Sequence, residues 1–153
     1  MSIDTDEVIV ARSHTPLREI ELTLGEKEIK AAGCIDSGCS LVLMSNDLWR
    51  QIGVTYNPKK KATIRVADNA LSSTDGMIEN LRCTIGSIVF LLQVHVVDSP
   101  SCALLLGRPF LTLLAAESRD FGNGDLRLTL TCPNTGRKEV VATSPHGSKQ
   151  AGF

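Results

Sequence analysis

From Leu17 onward, apolar residues return at every second position in short runs that end in turn-forming residues. Ile20, Leu22 and Leu24 alternate with Glu19, Glu21 and Thr23, the pattern of a strand with one face buried and one in water. Gly25-Glu26 turns the chain, and Ile29, Ala31, Gly33 and Ile35 line one face of the next strand. The cadence resumes at Ile64–Val66, at Met77–Ile78 with Leu81–Ile85, and along Ile88–Val97. It closes with strands near Ser118–Phe121, Leu126–Thr131 and Glu139–Ala142. No repeat at solenoid spacing runs through it, so one mostly β domain is expected.

Two helical signals interrupt the strands. Ser45 suits an N-cap, Asp47 falls in the first turn, Arg50 lies near the end and Gly53 follows. Leu48 and Ile52, four apart, would face the core. Pro109 suits the first turn of a second helix running to about Ala116. Each helix follows an apolar stretch that ends in small, Gly-containing sequence.

Composition narrows the function classes. With 153 residues, the chain suits one modest domain, and with aromatics at only 4% its core must rest on Leu, Ile and Val. A net charge of −1 gives no electrostatic case for nucleic acid or acidic lipid, and Lys59-Lys60-Lys61 reads as a solvated strand edge. No apolar run reaches the roughly 18–20 residues that a membrane span needs. The acidic start, Met1 to Glu7, is unlike a secretion signal, so an intracellular, cytoplasmic location is expected. Five cysteines without a Cys-x-x-Cys pair then read as reduced thiols. His14, His95 and His146 are scattered with no ligand spacing, so neither a metal site nor a cofactor is expected.

The chemistry concentrates at Asp36-Ser37-Gly38. Small and apolar residues lead to Asp36, a turn of small residues follows, and Leu41–Met44 resumes an apolar run. A carboxylate at the end of a buried strand, beside a glycine that permits close backbone approach, is costly to build. It serves either as a structural hydrogen-bond hub or as a catalytic acid. Ala103–Leu111 is the second informative stretch: a buried strand ends at Leu106-Gly107, and Arg108-Pro109 opens a helix.

Taken together, Asp36-Ser37-Gly38 and Leu105-Leu106-Gly107-Arg108 resemble the retropepsin family of aspartic proteases, across about residues 17–142. Leu106–Leu111 and Val66-Ala67-Asp68 are most similar to the Ty3/gypsy retrotransposon branch, which has domesticated cellular relatives. The resemblance implies a closed, barrel-like acid protease half with two short helices, forming a two-fold homodimer. It implies a catalytic Asp36, with Ser37 and Gly38 completing the active loop and Leu106, Gly107 and Arg108 supporting it. It also implies a flap at the hairpin tip, Asp68, Asn69, Ala70 and Leu71 within the span to Gly76, closing over an extended polypeptide substrate. Ser40 stands where some relatives carry an acid that pairs with the arginine corresponding to Arg108. The expected organisation is a polar segment at 1–14, the protease-like domain at 15–143 and a flexible tail at 144–153. The function implied is aspartic endopeptidase, processing a retroelement polyprotein or a cellular substrate. Two other readings stand beside it: a retropepsin-fold dimer that binds extended peptides with little or no cutting, and an unrelated β domain with Asp36 as a hub.

Overall fold

The computed structural model describes residues 7–65, 69–98 and 100–147. Six strands form a closed barrel: β1 (Arg18–Leu24), β2 (Ile29–Ile35), β3 (Val42–Ser45), β6 (Gly76–Ile85), β7 (Ile88–Val97) and β8 (Leu104–Leu106). Their order is β1-β2-β8-β3-β7-β6, and the ring closes where β6 returns to β1 through Thr23↔Thr84 and Leu24↔Cys83. Closure leaves these strands without a long exposed edge. The β2–β8 and β3–β7 pairs are parallel and the other ring pairs antiparallel. The inward faces carry Leu24, Met44, Val94, Leu104 and Leu106, all fully buried.

Outside the barrel, β4 (Thr63–Arg65) and β5 (Leu71–Ser73) pair only with each other. A third sheet joins β9 (Glu117–Asp120), β10 (Leu126–Thr131) and β11 (Lys138–Val141), and drives Leu128 and Leu130 into the same core. The alternation in β6 slips between Ile78 and Leu81, where Asn80 takes a left-handed φ of 56°. Gln93 on β7 fills the gap, accepting from the Asn80 N–H (3.0 Å) and donating to its Oδ1 (2.7 Å).

The first helix, α1 (Asn46–Ile52), has the expected caps: Ser45 Oγ accepts from Leu48 N–H at 3.1 Å, and Gly53 ends it at φ 76°. The second, α2 (Arg108–Leu113), carries Pro109 in its first turn but stops short of Ala116. Ala115 turns left-handed at φ 45°, and the Leu114 carbonyl accepts from Thr131 of β10 instead of extending the helix.

The expected flexible tail begins with structure. Ser144–Pro145 forms β12, which lies along the early part of β1, and His146 N–H donates to Leu17 O at 2.7 Å. The pairing is made by backbone on the part of β1 that β6 leaves uncovered, so polar composition hid it. Residues 148–153 of that expected tail, and 1–6 of the expected N-terminal segment, lie outside the described residues.

Candidate active site

Two strand ends meet at Asp36. Parallel pairing of Cys34 with Leu105 and Ile35 with Leu106 carries β2 and β8 in the same direction, and Asp36 N–H donates to Leu106 O at 3.1 Å. The chain then turns back: Cys39 N–H donates to Asp36 O (3.2 Å) and Gly38 N–H to the Asp36 carboxylate (2.9 Å). This turn, in which the side chain caps its own backbone, fixes the carboxylate against Gly38. A Cβ at Gly38 would lie 3.3 Å from Asp36 Oδ1, tighter than ordinary contact.

The support comes from below. Arg108 N–H donates to Cys39 O at 2.7 Å, so the start of α2 holds the turn by its backbone. Leu106 is fully buried under it. A Cβ on Gly107 would collide with the carbonyl oxygens of Leu41 and Cys39, and neither backbone atom is free to swing aside. Asp36 is partly buried, while Ser37 and Gly38 face outward. The result is an acid fixed from the barrel side and presented at the surface.

Of the expected flap residues, Leu71 opens β5, and Asn69 and Ala70 lead into it. The β4–β5 hairpin pairs Thr63 with Ser73, Ile64 with Ser72 and Arg65 with Leu71. Asn69 is left-handed at φ 62° and exposed; Ala70 is exposed, and Leu71 keeps 65% of its surface in water. Asp68 lies outside the described residues. Among the described residues, the hydrogen bonds of Asn69 and Leu71 stay within the hairpin.

One part of that expectation needs correcting. Leu71–Ser73 is a paired strand, and Thr74-Asp75-Gly76 is the hairpin's base rather than part of its tip. Thr74 is 1% exposed; its hydroxyl accepts from Ala62 N–H at 2.9 Å and lies 3.2 Å from His95 Nδ1. Asp75 N–H donates to Val96 O at 2.8 Å, and Asn46 Nδ2 donates to its carboxylate at 3.1 Å. These polar residues read as loop in the sequence because their partners lie in β7 and α1. Burial pushes the His95 imidazole below its usual pKa.

A further cluster escaped sequence reasoning. Cys34, Cys102 and His146 converge, with Cys34 Sγ 3.3 Å from His146 Nδ1 and Cys102 Sγ 3.8 Å from Nε2. Glu19 Oε2 approaches the same imidazole at 3.1 Å. Burial, then Cys102 and the carboxylates of Glu19 and Asp36, push the Cys34 thiol far up. His146 is 112 residues from Cys34 and 44 from Cys102, so no spacing rule could have found the group.

A closed six-stranded barrel with an acid-bearing turn resting on a second strand-to-helix junction defines the retropepsin-like class. Residues 20–110 match the family model for aspartyl proteases, and the chain belongs to that family. Among solved structures it is similar to the retroviral protease-like domain of Ddi1 from Leishmania major. That likeness has a TM-score of 0.62 and 15% identity, and covers 87% of this chain and 97% of the other. At that identity the shared property is the fold. A comparison with curated protein sequences gives no significant match.

Proposed function

We propose that the chain is an aspartic endopeptidase that works as a two-fold homodimer, each copy contributing one Asp36. The observation that carries this reading is the Asp36 turn itself, tied by Leu106 O and Arg108 N–H and open on its Ser37–Gly38 side. These 153 residues hold a single Asp-Ser/Thr-Gly, and in this reading the second carboxylate comes from a second copy. Two carboxylates about 3 Å apart cannot both ionise, and share one proton. The charged one takes a proton from water while the protonated one polarises the scissile carbonyl; the two then exchange roles as the amine leaves. The titration belongs to the pair and not to either residue.

The substrate is an extended polypeptide, held as an added strand under the 63–73 hairpin, with a retroelement polyprotein or a cellular chain as its source. A second reading, a dimeric peptide-binding module with little cutting, is favoured by Ser40, which gives Arg108 no acidic partner four places after Asp36.

The test is cleavage of a mixed peptide library across protein concentration, with Asp36→Asn as control. The protease reading expects cleavage that needs Asp36 and rises faster than linearly at low concentration. No cleavage from acid to neutral pH, at concentrations where sizing shows a dimer, would overturn the protease reading in favour of the binding module.

A further inference from the structure

We propose that Cys34, Cys102, His146 and Glu19 form a binding site for one zinc ion per chain, close to the Asp36 turn but separate from it. Four segments deliver the donors. Glu19 is on β1, directly across from Cys34 on β2 and from Ser144 on β12. Cys102 lies just before β8, and His146 just after β12.

Three of the donors already converge, and the fourth, Glu19, stands beside the imidazole. The atoms offered by Cys34, Cys102 and His146 all lie within 4.8 Å of one another, with Glu19 Oε2 3.1 Å from the imidazole. A tetrahedral zinc with bonds of about 2.0–2.3 Å places its donor atoms roughly 3.3–3.8 Å apart. Cys34 Sγ meets the imidazole at Nδ1 (3.3 Å) and Cys102 Sγ meets it at Nε2 (3.8 Å), so a small turn of the exposed ring would point one nitrogen at an ion held between the two sulfurs. Two sulfurs, one imidazole nitrogen and one carboxylate oxygen are a donor set for zinc rather than for magnesium or calcium, which take all-oxygen shells.

Ordinary packing accounts for the corner less well. Cys34, Cys102 and Leu105 form a small apolar group apart from the main core, and a buried thiol is by itself unremarkable there. But an imidazole and a carboxylate both turn into that group, and the Glu19 side chain is only 12% exposed. A divalent cation would attract both sulfurs, bound as thiolates, together with the Glu19 carboxylate. His146, 40% exposed, leaves an entry path.

Position gives the ion a role. It would clamp β12 to β2, two residues before Asp36, and to the segment that runs through β8 into Gly107. Both strand ends beneath the acid turn would be fixed at once. Among the described residues, β12 is held to β1 by two register pairs, at Arg18 and Glu19, with His146 bonded to Leu17 and Glu19 beyond them, a short attachment that an ion would reinforce.

The test uses the full chain, stripped of metal, kept reduced with a phosphine and titrated with cobalt(II), then zinc(II). The expected result is a thiolate-to-cobalt charge-transfer band that saturates at one equivalent and is bleached by one equivalent of zinc. Cys102→Ser should roughly halve that band, and His146→Ala should weaken binding at least tenfold. Because Cys34 and Cys102 are buried, their variants could fail to fold; His146→Ala, at an exposed position, keeps the test decisive. Absence of the band in folded, reduced protein would overturn the proposal, as would unchanged affinity in His146→Ala. The readout is spectroscopic, so it stands or falls independently of peptide cleavage.

Discussion

The turn at Asp36–Gly38 and the hairpin at 63–73 are both polar excursions from the barrel, yet they are built in opposite ways. The first is locked by backbone: Asp36 to Leu106, Cys39 to Asp36, Arg108 to Cys39. The second is two strands of three residues that pair only with each other, and β5 is exposed throughout. A two-stranded ribbon alone is marginal in water, so it can open at small cost while the barrel stays folded. Among the described residues, the hairpin is fastened at its base, where Thr74 and Asp75 bond to Ala62, His95, Val96 and Asn46. Under the protease reading, both kinds of construction have a use: one holds the acid still and the other closes over a long substrate.

The largest effects should fall on the locked turn, and two variants there separate chemistry from architecture. Asp36→Asn keeps an oxygen able to accept from Gly38, so folding should be nearly unchanged. Peptide cleavage should drop by about a thousandfold or more. Retained cleavage would sink the two-carboxylate mechanism. Gly107→Val should do the reverse of a clean active-site change. The methine carbon would press on two backbone carbonyls, and a loss of roughly 4 kcal/mol or more is expected, read as insolubility or a collapsed Tm. A stable Gly107→Val variant would mean that the turn is not locked.

The next effect tests the hairpin's anchor. Thr74→Val is nearly isosteric but leaves Ala62 N–H without its acceptor and His95 without its hydroxyl partner. The expected cost is about 1–3 kcal/mol. Amide exchange should quicken across 63–73 and not in β2 or β8. Uniform loss of protection throughout the barrel would erase the contrast between the two regions.

How much of this was legible in the sequence follows the same division. Strands such as Arg18–Leu24 could be read because the barrel buries one face of each and leaves the other wet. Ser45, Gly53 and Pro109 could be read because caps and first turns are local chemistry. Asp36-Ser37-Gly38 and Leu106-Gly107-Arg108 were legible as two motifs, though their hydrogen-bonded contact was not. The closed barrel itself came from the resemblance, and the structure bears it out; the individual contacts that close it could not be read from residue patterns. The closure of β6 on β1 joins Thr84 to Thr23 through backbone that carries no side-chain signature. Thr74 looked like loop because its partners are 12 and 21 residues away. His146 looked like tail because its partners, Leu17, Glu19, Cys34 and Cys102, lie 44 or more residues away.

A smaller effect should follow from pH. Burial lowers the His95 pKa in the fold, so the unfolded chain binds the proton more readily. Stability from this residue is therefore whole above the unfolded value of about 6.5 and is lost as pH falls toward the folded pKa. Since His95 touches Thr74, the loss should show first as faster exchange in the hairpin on acidification. His95→Gln should flatten that dependence without altering exchange in the locked turn.

The smallest structural effect belongs to the hairpin's outer surface. Leu71 is 65% exposed on a ribbon without a second layer, so Leu71→Ser should change stability by no more than about 0.5 kcal/mol. A large apolar side chain held in water at a hairpin's end has little to do in the free chain. Under the protease reading it has a partner only when a peptide lies beneath. Leu71→Ser should then raise KM several-fold for peptides with apolar side chains near the cut, with a smaller change in kcat. That pattern would mean that the hairpin contributes binding and the locked turn contributes chemistry. An equal fall in kcat and kcat/KM would mean instead that closure takes part in reaching the transition state, and that the two regions act as one.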